Sequence, residues 1–316
     1  MKNLNYVFGP VPSRRLGISL GIDLVPKKIC SMNCIYCEVG RTTNLTVERK
    51  EYVPVSDVIK EIDAVLSQSP KLDYITFSGS GEPTLNNKIG DVVEHLKLNY
   101  SNHKVALLTN SSLLHKDEVR RELDLFDLIL PSLDAASQPV FKKINKPHPK
   151  IEIEKIVEGL IQLRKEFNNE IWLEIFIVPD LNDTEQELKE LKHSIERINP
   201  DKVQLNTLTR PCSLEWVKKA DNDRLNRVAD LLYPLPVESI SNYTSRTLAE
   251  TADDEINEKI LGILERRPCT SKDLSIALGE NINVLNKYIN RLLEQNSICI
   301  KRNENEIFFL SKQATK

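Results

Sequence analysis

Between residues 16 and 232 the apolar positions change period several times, from near-continuous runs to stripes recurring every three or four residues. The runs lie at 16–24, 72–77, 104–109, 127–132, 171–178 and 203–208, and their content of Val, Ile, Leu and Phe predicts buried strands. A helical stripe follows each run. The first holds Val55, Val58, Ile59, Ile62, Val65 and Leu66, with Pro54, Ser56 and Asp57 as start signals. The next pass through Ile89, Val92, Val93 and Leu96, then residues 116–123, then Ile153, Ile156, Val157, Leu160 and Leu163. The last two pass through Leu188, Leu191 and Ile195, and through Leu225, Val228, Leu231 and Leu232. Strands alternating with helices imply a parallel sheet, and six repeats predict an α/β fold of the partial (β/α)6, TIM-like barrel type. Residues 4–15, rich in Pro, Gly and Arg, read as an ordered loop or short strand.

The pattern shifts after the polar stretch 241–252. Ile256, Ile260, Ile263 and Leu264 give one helix, 270–278 a second, and Leu285, Ile289, Leu292 and Leu293 a third, with Gly279 as the turn. Two short strands, 297–301 and 306–310, flank the turn Asn303-Glu304-Asn305. Three helices and a hairpin in this order resemble a winged helix-turn-helix. The expected division is therefore a barrel over 1–252 and a small winged-helix-like unit over 253–316. No internal repeat or low-complexity segment interrupts either.

Composition narrows the function classes. At 316 residues the chain suits one large domain with a small appended one, and a net charge of -3 with 28% charged residues gives no basic footprint for coating nucleic acid. The second unit has ten Lys or Arg and ten Asp or Glu, so docking to RNA, DNA or protein stays open there; Arg266, Arg267, Lys287, Arg291, Lys301 and Arg302 are candidates for one positive face. Of six cysteines, three crowd one loop and Cys212, Cys269 and Cys299 are scattered, which is not a disulfide framework and fits a reducing compartment. The first fifteen residues contain no apolar signal-like core, and no run approaches the roughly 20 apolar residues that span a bilayer. The expectation is a cytoplasmic protein with no membrane partner.

Chemistry in such folds gathers where strands end, and the unusual polar residues sit there. They are the cysteine loop 30–37, Ser78-Gly79-Ser80-Gly81-Glu82-Pro83, Asn110-Ser111-Ser112, Ser132-Leu133-Asp134, and the stretches 179–182 and 206–210. Arg14 and Arg15 are either a solvated pair or a contact to an anionic substrate. Cys30, Cys34 and Cys37 put three thiols within eight residues, and soft sulfur selects zinc, Cu(I) or an iron-sulfur cluster. Structural zinc wants a fourth ligand, yet the loop holds no other Cys or His and the nearest His is His95. The spacing thus favours a cluster, with one iron left for another ligand.

The C-x3-C-x2-C spacing with Tyr36 before the last cysteine resembles the cluster motif of the radical S-adenosylmethionine (SAM) superfamily. That resemblance implies a [4Fe-4S] cluster on Cys30, Cys34 and Cys37 whose open iron is chelated by the methionine part of SAM. It also implies reductive cleavage to a 5'-deoxyadenosyl radical that abstracts hydrogen from substrate, and an external electron donor of flavodoxin or ferredoxin type. Ser78 to Pro83 resembles the family's Gly-Gly-Glu-Pro segment, with Ser80 where Gly is commonest; Ser80, Gly81 and Glu82 would then meet the methionine amino group. By the same resemblance Asn110, Ser132 and Asp134 fall where relatives contact ribose and the methionine carboxylate, and Val178 where an apolar residue packs on adenine. Phe8 to Gly17, Val39 to Thr43 and Asn206 to Pro211 resemble the tRNA wyosine synthase-like branch. The second upstream cysteine cluster of those enzymes has no counterpart, since residues 1–29 contain no cysteine. Cys212 is expected to be a buried free thiol or to face substrate. The implied substrate is RNA, with protein, peptide or small metabolite as alternatives, and an iron-sulfur-sensing winged-helix regulator as the non-enzyme reading.

Overall fold

The structure, a computed structural model, describes residues 4–240, 253–280, 282–303 and 306–312. An antiparallel pair opens the chain, β1 (Val7–Ser13) and β2 (Gly17–Ile22). Two short paired segments follow, β3 (Ile29–Cys30) and β4 (Asn44–Leu45). The repeating part runs α1 (Val55–Leu66), β5 (Tyr74–Phe77), α2 (Ile89–Asn99), β6 (Lys104–Thr109), α3 (Asp117–Arg121) and β7 (Leu128–Pro131). It continues through α4 (Gln138–Ile144), α5 (Ile153–Glu166), β8 (Glu170–Phe176), α6 (Glu185–Ile198), β9 (Lys202–Asn206), α7 (Asn222–Leu232) and β10 (Val237–Ser239).

These strands form one sheet ordered β1-β2-β5-β6-β7-β8-β9-β10, parallel from β2 onward. The six expected parallel strands are all present, and each is followed by its helix. Not expected were β10, which adds a parallel strand at one edge, the two-residue strands β3 and β4, the helix α4, and the full length of β1 at the other edge. The first is too short to show a period, and β1 is held as a strand by backbone pairing that Pro and Gly content conceals. Among the described residues β1 and β10 do not pair with each other, so the barrel is open on one side.

The sheet is registered at its lower end by a device repeated three times. Asp73, Asp127 and Asp201 each stand just before a strand, and each donates its N–H to a neighbouring carbonyl, of Ile18, Val105 and Ile171 respectively. The carboxylate of the same residue accepts the N–H of that same neighbour, at 2.7, 2.6 and 2.7 Å. A charged acceptor on a backbone donor is among the stronger hydrogen bonds available. The interior above it is filled by Leu16, Ala106, Leu128 and Leu130 with Trp172 against them. Leu16 belongs to the β1–β2 turn, so that turn folds inward, and Arg15 beside it reaches Glu174 on β8 across the interior.

After the barrel come α8 (Asp253–Arg266), α9 (Ser271–Leu278), α10 (Ile282–Glu294) and the antiparallel hairpin β11 (Ile298–Asn303) and β12 (Glu306–Ser311). Thr270 and Asp273 form a capping box that starts α9, and Gly279 ends it in the left-handed region at φ 70°. The apolar faces of these helices bury Ile260, Leu264, Leu274 and Leu285 in a cluster that takes in Val11 of β1. Arg266 stacks over Phe8 and donates to the Asn5 carbonyl, while Arg267 donates to that of Pro12. The unit therefore sits against the edge strand. The polar stretch 241–252 and the turn residues Glu304 and Asn305 lie outside the described residues.

The registering aspartates are far from the strand ends that carry unusual residues. Asp127→Ala is expected to lower stability by about 1.5–3 kcal/mol, the scale of a lost hydrogen bond to a charged group, as read by urea unfolding.

Candidate active site

Two loops at the upper strand ends are laced together by backbone. Lys28 N–H donates to the Ser80 carbonyl at 2.8 Å, and Glu82 N–H donates to the Ile29 carbonyl at 3.2 Å. The approach is so close that a methyl group at Gly81 would lie 1.9 Å from the Ile29 oxygen. Gly79, at φ +123°, is likewise confined: a methyl there would lie 2.6 Å from the Asp23 carboxyl carbon. The glycines of this turn thus admit the chain's own neighbours. Ser80 is buried, and its N–H and hydroxyl both donate to Asp23, at 3.0 and 2.6 Å. The serine that departs from the commonest family pattern is therefore used as a tether.

The cysteine loop is held from its other sides as well. Ile35 N–H donates to the Ile144 carbonyl at 2.9 Å, fixing the loop to the end of α4. Beyond β9, Ser213 donates its N–H to the Cys37 carbonyl and its hydroxyl to that of Ile35. In this frame each of the three sulfurs meets one nitrogen donor. Lys28 Nζ stands 3.2 Å from Cys37 Sγ, Asn110 Nδ2 3.5 Å from Cys30 Sγ, and Asn145 Nδ2 3.5 Å from Cys34 Sγ. Among the described residues no three Cys, His, Asp or Glu side chains gather tightly enough for a single metal ion.

Burial dominates the electrostatics. It pushes the Cys30 thiol up to about 12, with Glu82 adding to the rise, and pushes Cys34 well above the ordinary value, with Asp134 adding there. Glu82 and Asp134 are themselves raised by burial, against hydrogen bonds that favour the carboxylate. Glu82 Oε1 accepts from Thr84 N–H at 3.1 Å, Thr84 Oγ1 at 2.6 Å and Thr109 Oγ1 at 2.7 Å, while Oε2 accepts from Asn110 N–H at 2.8 Å. This carboxylate ties the end of β5 to the end of β6, and what it has left for a ligand lies on Oε2. Asp134 accepts from the Tyr36 hydroxyl, from Asn145 Nδ2 and, on its other oxygen, from Phe176 N–H. Tyr36 also stacks on the Phe176 ring at 3.9 Å between centroids.

Tyr36, Asn110, Ser132 and Asp134 line one crevice beside the cysteine loop, with Met32 and Asn145. Ser80, Gly81 and Glu82 form the adjoining turn. Val178 stands apart: it is 2% exposed in an apolar cluster with Ile35, Phe176 and Leu208 behind the loop. Cys212 is half-buried and donates to the Leu214 carbonyl. Sequence reasoning missed Asp23, Lys28, Asn145 and Glu174. Lys28 and Asp23 carry no local signal beyond closeness to Cys30, whereas Asn145, just after a helix, reads as an ordinary cap. Lys28 also holds a left-handed backbone at φ 62°, unusual for a lysine.

Comparison with known proteins agrees with this arrangement. The sequence model of the Radical SAM superfamily matches residues 24–220, which takes in every loop just described. The chain is 30% identical to the UPF0026 protein MJ1312 of Methanocaldococcus jannaschii, over 97% of this chain and 96% of that one. It is 36% identical to the protein named GTPase Obg of Brachyspira hyodysenteriae, over 92% of this chain but 43% of that protein's length. A more distant likeness, 23% over 51% of this chain and 43% of the other, joins it to a dual-specificity RNA methyltransferase RlmN of Syntrophotalea carbinolica. Among solved structures, a radical SAM methyltransferase from Sphaerobacter thermophilus shares the fold at a TM-score of 0.54 and 18% identity, over 70% of this chain and 65% of that one. Members of the matched superfamily typically bind a [4Fe-4S] cluster and SAM. With that family model matching residues 24–220, well over half of the sequence, this chain belongs to the radical SAM superfamily.

Proposed function

We propose that the chain is a radical SAM enzyme that modifies RNA, with Cys30, Cys34 and Cys37 as ligands of a [4Fe-4S] cluster. The observation that carries the cluster assignment is the set of three nitrogen donors, one for each sulfur. A neutral thiol is a weak acceptor with little use for an amide or ammonium donor, whereas metal-bound thiolates are strong acceptors. The cofactor pair, when bound, supplies one-electron cleavage of the SAM sulfonium and a carbon radical for hydrogen abstraction.

The chain's own residues position and shield. Asn110 and Asn145 orient two sulfurs and are themselves fixed, Asn110 through its backbone on Glu82 and Asn145 through Asp134. The Asn145 Oδ1 atom is buried without a partner at this crevice, which leaves an acceptor for a ligand donor. The Ser80-Gly81-Glu82 turn, tethered by Asp23, offers backbone groups and Glu82 Oε2 to the methionine ammonium. Ser132, Asn110 and Asp134 lie where a sugar and carboxylate would be held, and Tyr36 closes the wall against water. Val178 supports that wall from behind, through Ile35 and Phe176. The electron comes from an external flavodoxin- or ferredoxin-type donor.

RNA is preferred as substrate on three grounds: the wyosine-synthase-like runs, the distant likeness to an RNA methyltransferase, and the C-terminal unit, which we read as a winged helix presented beside the barrel's open side. A protein, peptide or metabolite substrate is the outcome the nucleoside test below would indicate.

Three results are expected. Anaerobic reconstitution followed by dithionite and SAM should release 5'-deoxyadenosine, and Cys30→Ser, Cys34→Ser or Cys37→Ser should abolish it; a reduced cluster seen by electron paramagnetic resonance with no 5'-deoxyadenosine would sink the enzyme reading in favour of a sensor. Lys28→Met, which removes a positive charge from beside Cys37, should make the cluster harder to reduce by about 60 mV, the equivalent of a tenfold shift in a one-electron couple, as read by redox titration. RNA from a deletion strain should lack one modified nucleoside that wild-type RNA contains, and an unchanged profile would move the substrate to protein or metabolite.

A further inference from the structure

The β1–β2 turn carries two arginines that cluster and cofactor binding do not use. Arg15 is committed to Glu174 inside the barrel, where Asn206 Nδ2 also reaches the same carboxylate at 3.1 Å. Arg14 does not join it. Among the described residues its guanidinium meets no hydrogen-bond acceptor and no carboxylate at ion-pair distance. It stands within electrostatic reach of Arg210 beyond β9, Arg267 between α8 and α9, Glu38 next to Cys37, and Asp273 in the first turn of α9.

The charges in this cluster do not cancel. Arg210 takes both carboxylates, Glu38 at 3.4 Å and Asp273 at 3.9 Å. Arg267 places both terminal nitrogens 3.3 Å from the neutral Pro12 carbonyl and, among the described residues, has no carboxylate partner. Three guanidiniums thus face two carboxylates. The Nε atoms of Arg210 and Arg267 and the Thr209 hydroxyl are buried without partners. Like charges gathered in a poorly hydrated seam repel, and a buried donor without an acceptor costs free energy, so the arrangement is stabilised by an anion. Burial, and then Arg210 and Arg267 working against Glu38, also hold Arg14 below the ordinary arginine value, although arginine stays charged.

Position and donor type select the anion. The elements involved come from both flanks of the sheet's open side and from the C-terminal unit, one residue from a cluster cysteine at Glu38. Forked planar guanidiniums with a hydroxyl beside them match a tetrahedral oxyanion presented edge-on. We propose that Arg14, Arg210 and Arg267, with Thr209, form a phosphate site on the open side of the barrel, which binds a backbone phosphate of the RNA substrate. The proposal rests on the RNA reading above, and it gives the C-terminal unit a part in substrate binding through Arg267.

The test is fluorescence anisotropy of a labelled tRNA transcript at several salt concentrations, with wild type, Arg14→Gln, Arg14→Lys and Arg267→Gln. Arg14→Gln should weaken binding about tenfold and lower the slope of log affinity against log salt by roughly 0.7–0.9, the value of one phosphate contact. Arg14→Lys should keep the slope and recover part of the affinity. Circular dichroism melting checks that each variant is folded, and Arg14, whose guanidinium makes no hydrogen bond among the described residues, keeps the test usable if Arg267→Gln unfolds. Wild-type binding with no change in Arg14→Gln overturns the site and leaves the RNA reading standing. No binding of tRNA by wild type overturns the RNA reading; pyrophosphate calorimetry then decides, since binding lost in Arg14→Gln reassigns the site to a small phosphorylated substrate and no binding overturns it.

Discussion

The close approach of Gly81 to the Ile29 carbonyl is the contact on which the candidate site depends. It brings the end of β5 against the residue before Cys30, and two backbone hydrogen bonds on either side lock the register. Any side chain at Gly81 would force these segments apart, because the neighbour it would meet is backbone and has little room to move. From that contact the rest of the site follows. Lys28, one residue earlier, is turned into the left-handed region, and its ammonium arrives at Cys37. Strain of that kind persists where surrounding bonds over-determine it, here through the Ser80 carbonyl.

Buried carboxylates form a second level of support. Glu82 and Asp134 lie out of water with raised proton affinity, yet each accepts several hydrogen bonds from the chain. They work as braces between strand ends: Glu82 joins β5 to β6, and Asp134 joins the cysteine loop to α4 and β8. Each brace fixes an asparagine, and each asparagine reaches a sulfur. A ligand at the crevice is thus met by side chains whose rotamers are already set, which limits the ordering cost of binding.

The C-terminal unit belongs to the same network. Arg266 of α8 stacks over Phe8 and reaches Asp23, whose carboxylate tethers Ser80 of the glycine turn. Burial raises Asp23, while Ser80 and Arg266 both oppose that rise. Packing against β1 therefore connects the small unit to the turn beside the cysteines as well as to the arginine seam on the open side.

Hydrophobic period and the cysteine spacing were enough to read the six parallel strands, their helices, the three helices and hairpin at the C-terminal end, and the loops that carry the site. These features are legible because a buried parallel strand and an amphipathic helix each impose a local period, and because ligands from one loop have a fixed spacing. Val178 shows the limit of that reading, since its place at a strand end did not reveal that its side chain lies in a closed apolar cluster. Asp23, Lys28 and Asn145 carried no local sign of their roles, and Arg266, a candidate for a positive face, packs instead against Phe8 and Asp23. Their roles arise from distances across the fold, between residues 57 to 243 apart in sequence for Asp23 alone, with Ser80 and Arg266 at the two extremes. Sequence by itself determined the six parallel strands with their helices, the order of these elements and the loops where unusual polar residues gather, because those follow from periods and neighbours along the chain. Tertiary structure decided which donor meets which sulfur, which carboxylates are spent as braces and where positive charge is left over, because those depend on how separate strand ends are brought together in space.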